Sequence, residues 1–158
     1  MPANAFFRRG TTKVWFAPTV AGASPTAAEV NAGTRLVNIA DMSGFSFANN
    51  PITTPDLDTV FDSQIPGVDA AEDSVITFYE PKTGTDALFT TLAKGVSGFI
   101  VIFYRGIAGA SPAAADKCEL WPVVSSGPRR MYGMDASAAR WSVTLSPSAP
   151  PNVNATLT

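Results

Sequence analysis

The sequence contains no histidine, and this absence excludes several kinds of active site. A Ser-His-Asp or Cys-His nucleophile, a histidine-ligated zinc ion and a histidine general base all require a side chain that the protein lacks. The single cysteine, Cys118, lies in the apolar run KCELW and can form neither an internal disulfide nor a cysteine-rich metal site. We therefore expect Cys118 to be a small buried residue and not a reactive thiol.

Charged residues are also scarce, at 15% of the chain, and the net charge is −2. Arg8-Arg9 and Arg129-Arg130 are isolated basic pairs, which is a poor arrangement for binding phosphates. No apolar run is long enough to cross a membrane. Lys13 and Pro18 interrupt the segment that most resembles a secretory signal, so we expect synthesis in a cytoplasm without export.

The remaining residues show no motif for catalysis or for a cofactor. Glycines form neither a GxGxxG nor a Walker pattern, and nothing singles out one carboxylate pair among the 13 acids. Asp56, Asp58 and Asp62 are spaced somewhat like calcium ligands, but Phe61 stands where an EF-hand loop needs glycine. We expect no enzyme activity, no cofactor and no metal.

The chain does have a large hydrophobic fraction, 46%, divided into short segments by 12 glycines and 13 prolines. This composition in 158 residues predicts one domain, residues 1–158, that is mainly β. The expected fold class is two packed antiparallel sheets, as a β-sandwich or barrel, with one flanking α-helix and a long loop.

Two apolar segments predict the strands around which the core forms. SVITFY (74–79) alternates so that Ile76 and Phe78 share one face, and we expect it to be packed on both sides. FIVIFY (99–104) is the most apolar run of the chain and is rich in β-branched and aromatic residues. It should be the central strand.

The segment between these strands predicts a short amphipathic helix. Thr83-Gly84-Thr85-Asp86 offers a hydroxyl cap and an acid in the first turn. Leu88 and Leu92 lie one turn apart, and Gly95 can adopt the left-handed conformation that ends a helix.

Further elements are predicted from shorter patterns. Thr26 and Glu29 form a capping box for a helical turn on the surface, ending at Gly33. Alternation predicts strands at 11–17, with Trp15 pointing inward, and at 35–40 and 43–47, which pair across Asp41-Met42. It also predicts strands at 60–65, at 117–124 and at 139–145, which contains Trp141, and a short run at 130–134. We expect a turn at 125–128, an N-terminal arm at 1–10 and a loose C-terminal tail at 146–158.

Residues 48–73 differ from the rest and are expected to be a long assembly loop. Between Leu36 and Pro81 there are eight acids and no lysine or arginine. This acidic surface is either solvated or used for docking or for repelling nucleic acid. The residues expected at subunit contacts are Ile52, Leu57, Val60, Phe61, Ile65, Asp56 and Asp58, with Arg105, Arg129 and Arg130 as counter-charges on a neighbouring subunit.

Several short motifs occur in order along the first two-thirds of the chain: Gly10-Thr11-Thr12-Lys13-Val14, Ala32-Gly33-Thr34, Ser43-Gly44-Phe45, Thr54-Pro55-Asp56-Leu57, Ile65-Pro66-Gly67, Glu72-Asp73-Ser74-Val75-Ile76-Thr77-Phe78-Tyr79, Thr85-Asp86 and Gly98-Phe99-Ile100-Val101-Ile102. In order and approximate spacing the chain resembles the major tail tube proteins of bacteriophages with long flexible tails, particularly those that infect actinobacteria.

The resemblance implies a structural virion protein that forms hexameric rings, stacked into the hollow tube through which the genome is ejected. It implies partners as well: further copies of the chain, and the tape-measure, tail-tip and tail-terminator proteins. DNA would cross the lumen without tight binding, and no membrane would be bound.

A non-catalytic β-sandwich that binds a ligand, such as an adhesin module, is the alternative interpretation. Such modules expose several aromatic residues on one flat face. Here the aromatics at strand positions are expected in the core, namely Trp15, Phe78, Phe99, Phe103 and Trp141.

Overall fold

The computed structural model describes residues 5–83, 86–134 and 136–158. Strands hold 47% of the residues and helices 7%, so the predicted mainly β class is confirmed. In chain order the elements are β1 (Lys13–Ala17), α1 (Ala27–Ala32), β2 (Thr34–Leu36), β3 (Ile39–Ser43), β4 (Phe47–Thr54), β5 (Ser63–Ala71), β6 (Ser74–Tyr79), α2 (Ala87–Thr91), β7 (Ser97–Phe103), β8 (Lys117–Met131), β9 (Arg140–Pro147) and β10 (Asn152–Thr156). No helix in the described ranges is both long and apolar enough to span a membrane.

The strands form two antiparallel sheets. Eight strands make the main sheet, in the order β2-β1-β7-β8-β9-β6-β3, with β10 added beside β8, while β4 and β5 make a separate two-stranded sheet. The edge strands β2 and β3 do not pair with each other in the described chain, so the main sheet is open and not a closed barrel.

The main sheet curves around its larger core. Phe45, just beyond the edge strand β3, packs edge-on against Trp121 in the middle strand, with ring centroids 5.6 Å apart. Side chains from one face of β1, β6, β7, β8 and β9 form a continuous buried cluster with Leu88 and Leu92 of the α2 region. A smaller cluster on the opposite face contains Trp15, as expected, and Cys118.

The two predicted core strands are present as β6 and β7. Ile76 and Phe78 of β6 are fully buried, but its opposite face is only partly covered and Tyr79 is exposed, so β6 packs fully on one side only. Strand β7 is buried on both faces between β1 and β8, although β8 and not β7 is the middle strand of the sheet.

The segments predicted as a strand at 117–124, a turn at 125–128 and the start of a short run at 130–134 form one continuous strand, β8, of 15 residues. Its first half pairs with β7 and its second half with β9. The expected turn at 125–128 is a β-bulge in which Gly127 has φ 102°. Ser125 fixes this bend, because its Oγ donates to the carbonyl of Leu92 at 2.7 Å and its N–H donates to the carbonyl of Val96 at 2.8 Å.

The described part of the chain has two helices where one flanking helix was predicted. The capping box of α1 is confirmed, since Thr26 Oγ1 accepts from the N–H of Glu29 at 3.2 Å and Glu29 Oε2 accepts from the N–H of Thr26 at 2.8 Å. The pKa of Glu29 is lowered because its carboxylate accepts hydrogen bonds from the N–H of Thr26, the N–H of Ala21 and the hydroxyl of Thr26. The helix is not surface decoration, because Val30 is fully buried in the smaller core.

Helix α2 is shorter than predicted and is capped by a carboxylate in place of the expected hydroxyl. Asp86 is the N-cap, while Gly84 and Thr85 of the predicted cap lie outside the described residues. Leu88 and Leu92 are buried as expected, and Gly95 has φ 84°.

The predicted pairing across Asp41-Met42 is wrong. Both residues lie inside β3, which pairs with β6, while β2 pairs with β1. The chain turns between β2 and β3 at Asn38, which adopts φ 57°, a conformation that asparagine tolerates better than most residues.

The predicted loose tail is also wrong, because residues 152–156 form β10 beside the first half of β8. Ala155 and Leu157 are buried in the smaller core. The tail then closes on α1, since the Thr158 carbonyl accepts from the N–H of Ala27 at 3.0 Å. Of the predicted N-terminal arm, residues 1–4 lie outside the described chain and 5–10 form no helix or strand.

Candidate assembly surface

The expected long loop at 48–73 is largely a β-hairpin, which we call the arm and define as residues 47–71. It consists of β4, β5 and the connecting residues 55–62. Neither strand pairs with the main sheet. The strand predicted at 60–65 is misplaced, since β5 begins only at Ser63.

Local side-chain contacts explain why this proline-rich segment forms paired strands. Asn49 spans the arm: its Nδ2 donates to the carbonyl of Gly67 at 2.9 Å and to Asp69 Oδ1 at 2.7 Å, and its Oδ1 accepts from the N–H of Gly67 at 3.0 Å. A Cβ at position 67 would collide with the carbonyl oxygen of Asn50, so this close approach requires glycine. The register is irregular between Asn50 and Ile52, where Pro51 needs no ladder hydrogen bond.

The arm carries an unusual amount of exposed apolar surface. Leu57 and Val60 at its end are fully exposed, and Phe61 is 77% exposed. Ile52 pairs directly with Ile65, so both lie on one face, and each is about half exposed. These are the five apolar residues that the sequence predicted for subunit contacts.

Two further exposed apolar residues of the arm were missed in the sequence. Phe47 is 46% exposed and Val68 is 75% exposed. Phe47 was assigned to the end of the strand predicted at 43–47, and Val68 was treated as part of the long loop. Alternation from Ser63 onward could have identified Val68 only if Pro66 and Gly67 had been accepted inside a strand.

Acidic residues surround the end of the arm. Asp56 Oδ1 accepts from the N–H of Asp58 at 3.0 Å, which tightens the turn, and Asp62 precedes β5. None of these carboxylates forms an ion pair within the described ranges. Residues 5–83, 86–134 and 136–158 also contain no group of three histidine, cysteine, aspartate or glutamate side chains placed to hold a metal ion.

A groove of about 410 Å³ separates the base of the arm from the connection between β9 and β10. Phe47 and Ala71 line one side and Pro147 and Pro151 line the other. Apolar residues form most of the lining of this groove.

The three arginines expected as counter-charges lie in different places. Arg130 contacts its own subunit: its Nε lies 2.8 Å from Glu80 Oε1 and its guanidinium stacks over Phe89 at 4.4 Å. The hydrogen bond to Glu80 raises the pKa of Arg130 above its ordinary value. Arg129 is exposed beside the bulge of β8, and Arg105 is exposed just beyond the end of β7.

The five aromatic residues expected in the core are buried or partly buried and do not lie on an exposed flat face. Trp15, Phe78, Phe103 and Trp141 are buried, and Phe99 is partly buried. Phe78 stacks on Trp141 with ring centroids 4.3 Å apart, and Trp15 meets Phe103 edge-on at 5.4 Å. These five aromatic residues therefore pack in or against the two cores.

A family model described as phage tail tube protein matches residues 1–158 of this chain. No curated protein sequence matches it.

Solved structures with a similar fold come from contractile injection systems. One is a chain of the sheath/tube terminator of the extracellular contractile injection system PVC, at 10% identity and TM-score 0.64, covering 93% of this chain and 96% of that one. A second, from the PVC sheath-tube complex, has 13% identity and TM-score 0.61 and covers 96% and 94%. A third, from the six-fold symmetrised baseplate of the anti-feeding prophage, has 8% identity and TM-score 0.60 and covers 94% and 95%.

Proposed function

Because the chain belongs to the phage tail tube protein family, we propose that its subunits assemble into hexameric rings that stack into a hollow tube for genome ejection. The family assigns a structural role in the tail, and it is not a family of enzymes. The six-fold symmetry of the anti-feeding prophage baseplate, which contains a chain of similar fold, supports the ring number.

The edges of the main sheet suit a ring. An unpaired strand edge presents free N–H and C=O groups and is a liability in an isolated subunit. Both β2 and β3 are edge strands of the described sheet. Head-to-tail contacts between subunits close into a ring when a whole number of the subunit rotations makes one full turn. Each such contact would bury the β2 edge of one subunit and the β3 edge of the next.

The observation that carries the proposal is the arm. It projects seven exposed large apolar residues without a covering surface in its own subunit: Phe47, Ile52, Leu57, Val60, Phe61, Ile65 and Val68. Apolar surface of this kind in a soluble protein marks an interaction site. Since the arm pairs with no strand of the main sheet, it is free to contact another copy and hold one ring to the next.

The charge of the protein suits passage of DNA. A duplex carries one negative charge per ~1.7 Å, so a basic wall would retain it and a neutral or acidic wall would let it slide. With a net charge of −2 the subunit should bind duplex DNA weakly at physiological salt. Sub-micromolar affinity in a gel-shift assay would contradict the conduit role.

The tube would be built in the cytoplasm of the infected bacterium and carried in the virion. Its ends require tail-tip and tail-terminator proteins, and its lumen a tape-measure protein. A chain of the PVC sheath/tube terminator has a similar fold, which supports a terminator protein that packs on the last ring as one ring packs on the next.

Three serine substitutions at the exposed end of the arm test its role. We expect Leu57→Ser, Val60→Ser and Phe61→Ser, combined in one variant, to leave a folded subunit that no longer polymerises in sedimentation and negative-stain electron microscopy. Tyr132→Ser with Met134→Ser is the matched control, because these residues are 92% and 107% exposed between β8 and β9, away from the arm. Normal tubes from the arm variant, or equal loss in the control, would remove the arm from the proposal.

A further inference from the structure

A pocket lined by basic residues lies beside the start of β1 and the end of β7. Lys13, Arg35 and Arg105 line this space of about 410 Å³, together with small residues such as Gly10 and Gly106. We call it the basic pocket. It contains three of the 11 lysines and arginines of the chain.

The sheet register brings these three residues together from separate parts of the chain. Lys13 of β1 pairs with Phe103, the last residue of β7, and Arg105 follows Phe103 by two residues. Arg35 of β2 pairs with Trp15 of β1. Lys13 and Arg35 are held by the adjacent strands β1 and β2, while Arg105 and the small lining residues lie in the segments just before β1 and just after β7.

Contacts within the subunit orient these side chains without neutralising them. Lys13 Nζ donates to the carbonyl of Gly10 at 2.9 Å, Arg35 lies 5.4 Å from the Trp15 ring centroid, and Arg105 lies 5.7 Å from that of Tyr104. None of the three forms an ion pair with an acid in the part of the chain that the structure describes. Asp116, on the same side of the subunit, accepts instead from the N–H groups of Ala108 and Ala113.

The basic pocket and the base of the arm lie at opposite ends of β7. The chain returns from the arm to the main sheet at Ser74, the first residue of β6. Ser74 pairs with Leu145 of β9, and Leu145 pairs with Ser125 of β8. The preceding residue of β8, Val124, pairs with Ser97 at the start of β7. The pocket lies beyond the other end of β7, a seven-residue strand that spans about 20 Å. No residue of the arm lines the pocket.

We propose that the basic pocket receives the acidic end of the arm, with Asp56, Asp58 and Asp62, from a second copy of this chain in the adjacent ring. This inference rests on the proposed stacking function and names its receiving surface. The arm has three acids near its end and no base, the pocket has three bases, and their placement at opposite ends suits a head-to-tail contact that repeats along an axis. Small lining residues leave room for the apolar side chains between the acids.

Phosphate groups of DNA are the other chemistry that such a pocket could bind. Three bases in a chain with 13 acids are a weak attraction for duplex, whereas complementary charges between two protein surfaces fix register and partner choice. The second copy is therefore the favoured occupant.

Charge reversal on both sides tests the pairing. Arg105→Glu should raise the concentration needed for polymerisation by about tenfold or more, and the combined variant Arg105→Glu with Asp58→Arg should restore much of the loss. Lys82→Glu is the matched control, because it reverses an exposed base that lies outside the pocket and outside the expected contact residues, and it should change little. The defect of Arg105→Glu should deepen as salt is lowered, where repulsion between like charges is screened least.

Each outcome separates the inference from the proposed function. Normal polymerisation of Arg105→Glu, or equal loss in Lys82→Glu, would overturn the pocket while leaving the arm's role intact. Failure of rescue by Asp58→Arg, together with weak binding of duplex DNA (a Kd above the micromolar range) that Arg105→Glu abolishes, would assign the pocket to phosphate and leave the conduit role intact. If Arg105→Glu does not fold, Arg105→Gln with Lys13→Gln replaces it, and unchanged assembly of that variant would equally overturn the pairing.

Discussion

The carboxylate of Asp86 joins helix α2 to strand β9. Its Oδ2 accepts a hydrogen bond from Trp141 Nε1 at 2.7 Å, and its Oδ1 accepts one from the N–H of Leu88 at 3.0 Å. One side chain therefore caps a helix and satisfies the indole N–H of a fully buried tryptophan.

We expect Asp86→Ala to lower the free energy of unfolding by about 2 to 4 kcal/mol, because it removes a helix cap and leaves a buried indole donor unpaired. Urea denaturation of the unassembled subunit measures this. Asp86→Asn keeps an acceptor oxygen and should lose less. A loss below about 0.5 kcal/mol in Asp86→Ala would show that the two hydrogen bonds contribute nothing to stability.

The C-terminal strand should be equally important for the subunit. Leu157 is 2% exposed in the smaller core, so Leu157→Ala should cost about 2 to 5 kcal/mol in the same denaturation series. Val153→Ala is the control on the same segment, since Val153 is 41% exposed and its loss should be within about 0.5 kcal/mol. Equal, small effects would restore the interpretation of residues 146–158 as a loose tail.

Burial of Cys118, and secondarily the charges of Asp116 and Glu119, raise its pKa from 9.0 to about 11. Below pH 9 the folded thiol should hold about 100-fold less thiolate than the unfolded one, so iodoacetamide should modify it at least that much more slowly. Rapid modification of the native protein would contradict its burial.

The same shift predicts a pH effect with a definite sign. The unfolded thiol loses its proton from about pH 9, while the folded thiol keeps it until about pH 11. The unfolded state therefore binds fewer protons in this window, and stability falls as the pH rises from 9 to 11. Cys118→Ala should lack this part of the fall when its denaturation midpoints are compared with those of the unmodified protein.

The sequence predicted elements whose signals are local. Alternation alone located β6, and the spacing of Thr26 and Glu29 alone predicted the capping box of α1. Both patterns depend on neighbours within a few residues, so no knowledge of distant contacts was needed.

The errors come from positions where a distant partner decides the local conformation. Gly127 and Pro128 indicate a turn by themselves, but β8 continues through them because it exchanges β7 for β9 as its partner. Asp86 caps α2 partly because Trp141, 55 residues away, needs an acceptor. Neither partner can be identified from the residues nearby.

The arm shows the same limit for function. Pro51 and Pro66 indicated an irregular loop. Both instead lie in the two paired strands of a hairpin, whose register shifts between Asn50 and Ile52. The expected contact residues of the arm could be chosen from the sequence because a solvated loop would not contain so many apolar side chains. They are Ile52, Leu57, Val60, Phe61 and Ile65. The basic pocket could not be predicted, because Lys13, Arg35 and Arg105 meet only through strand pairing.

Removal of the arm most directly tests whether it joins subunits into a tube. Replacing residues 51–67 by an Asn-Gly turn closes the hairpin at the Asn50 and Val68 pair and leaves the main sheet untouched. Circular dichroism and electron microscopy of this variant should show a folded, soluble subunit that forms no tubes under conditions in which the unmodified protein does. Tubes of normal length and diameter, or a subunit that cannot fold without the arm, would contradict its role as an assembly element.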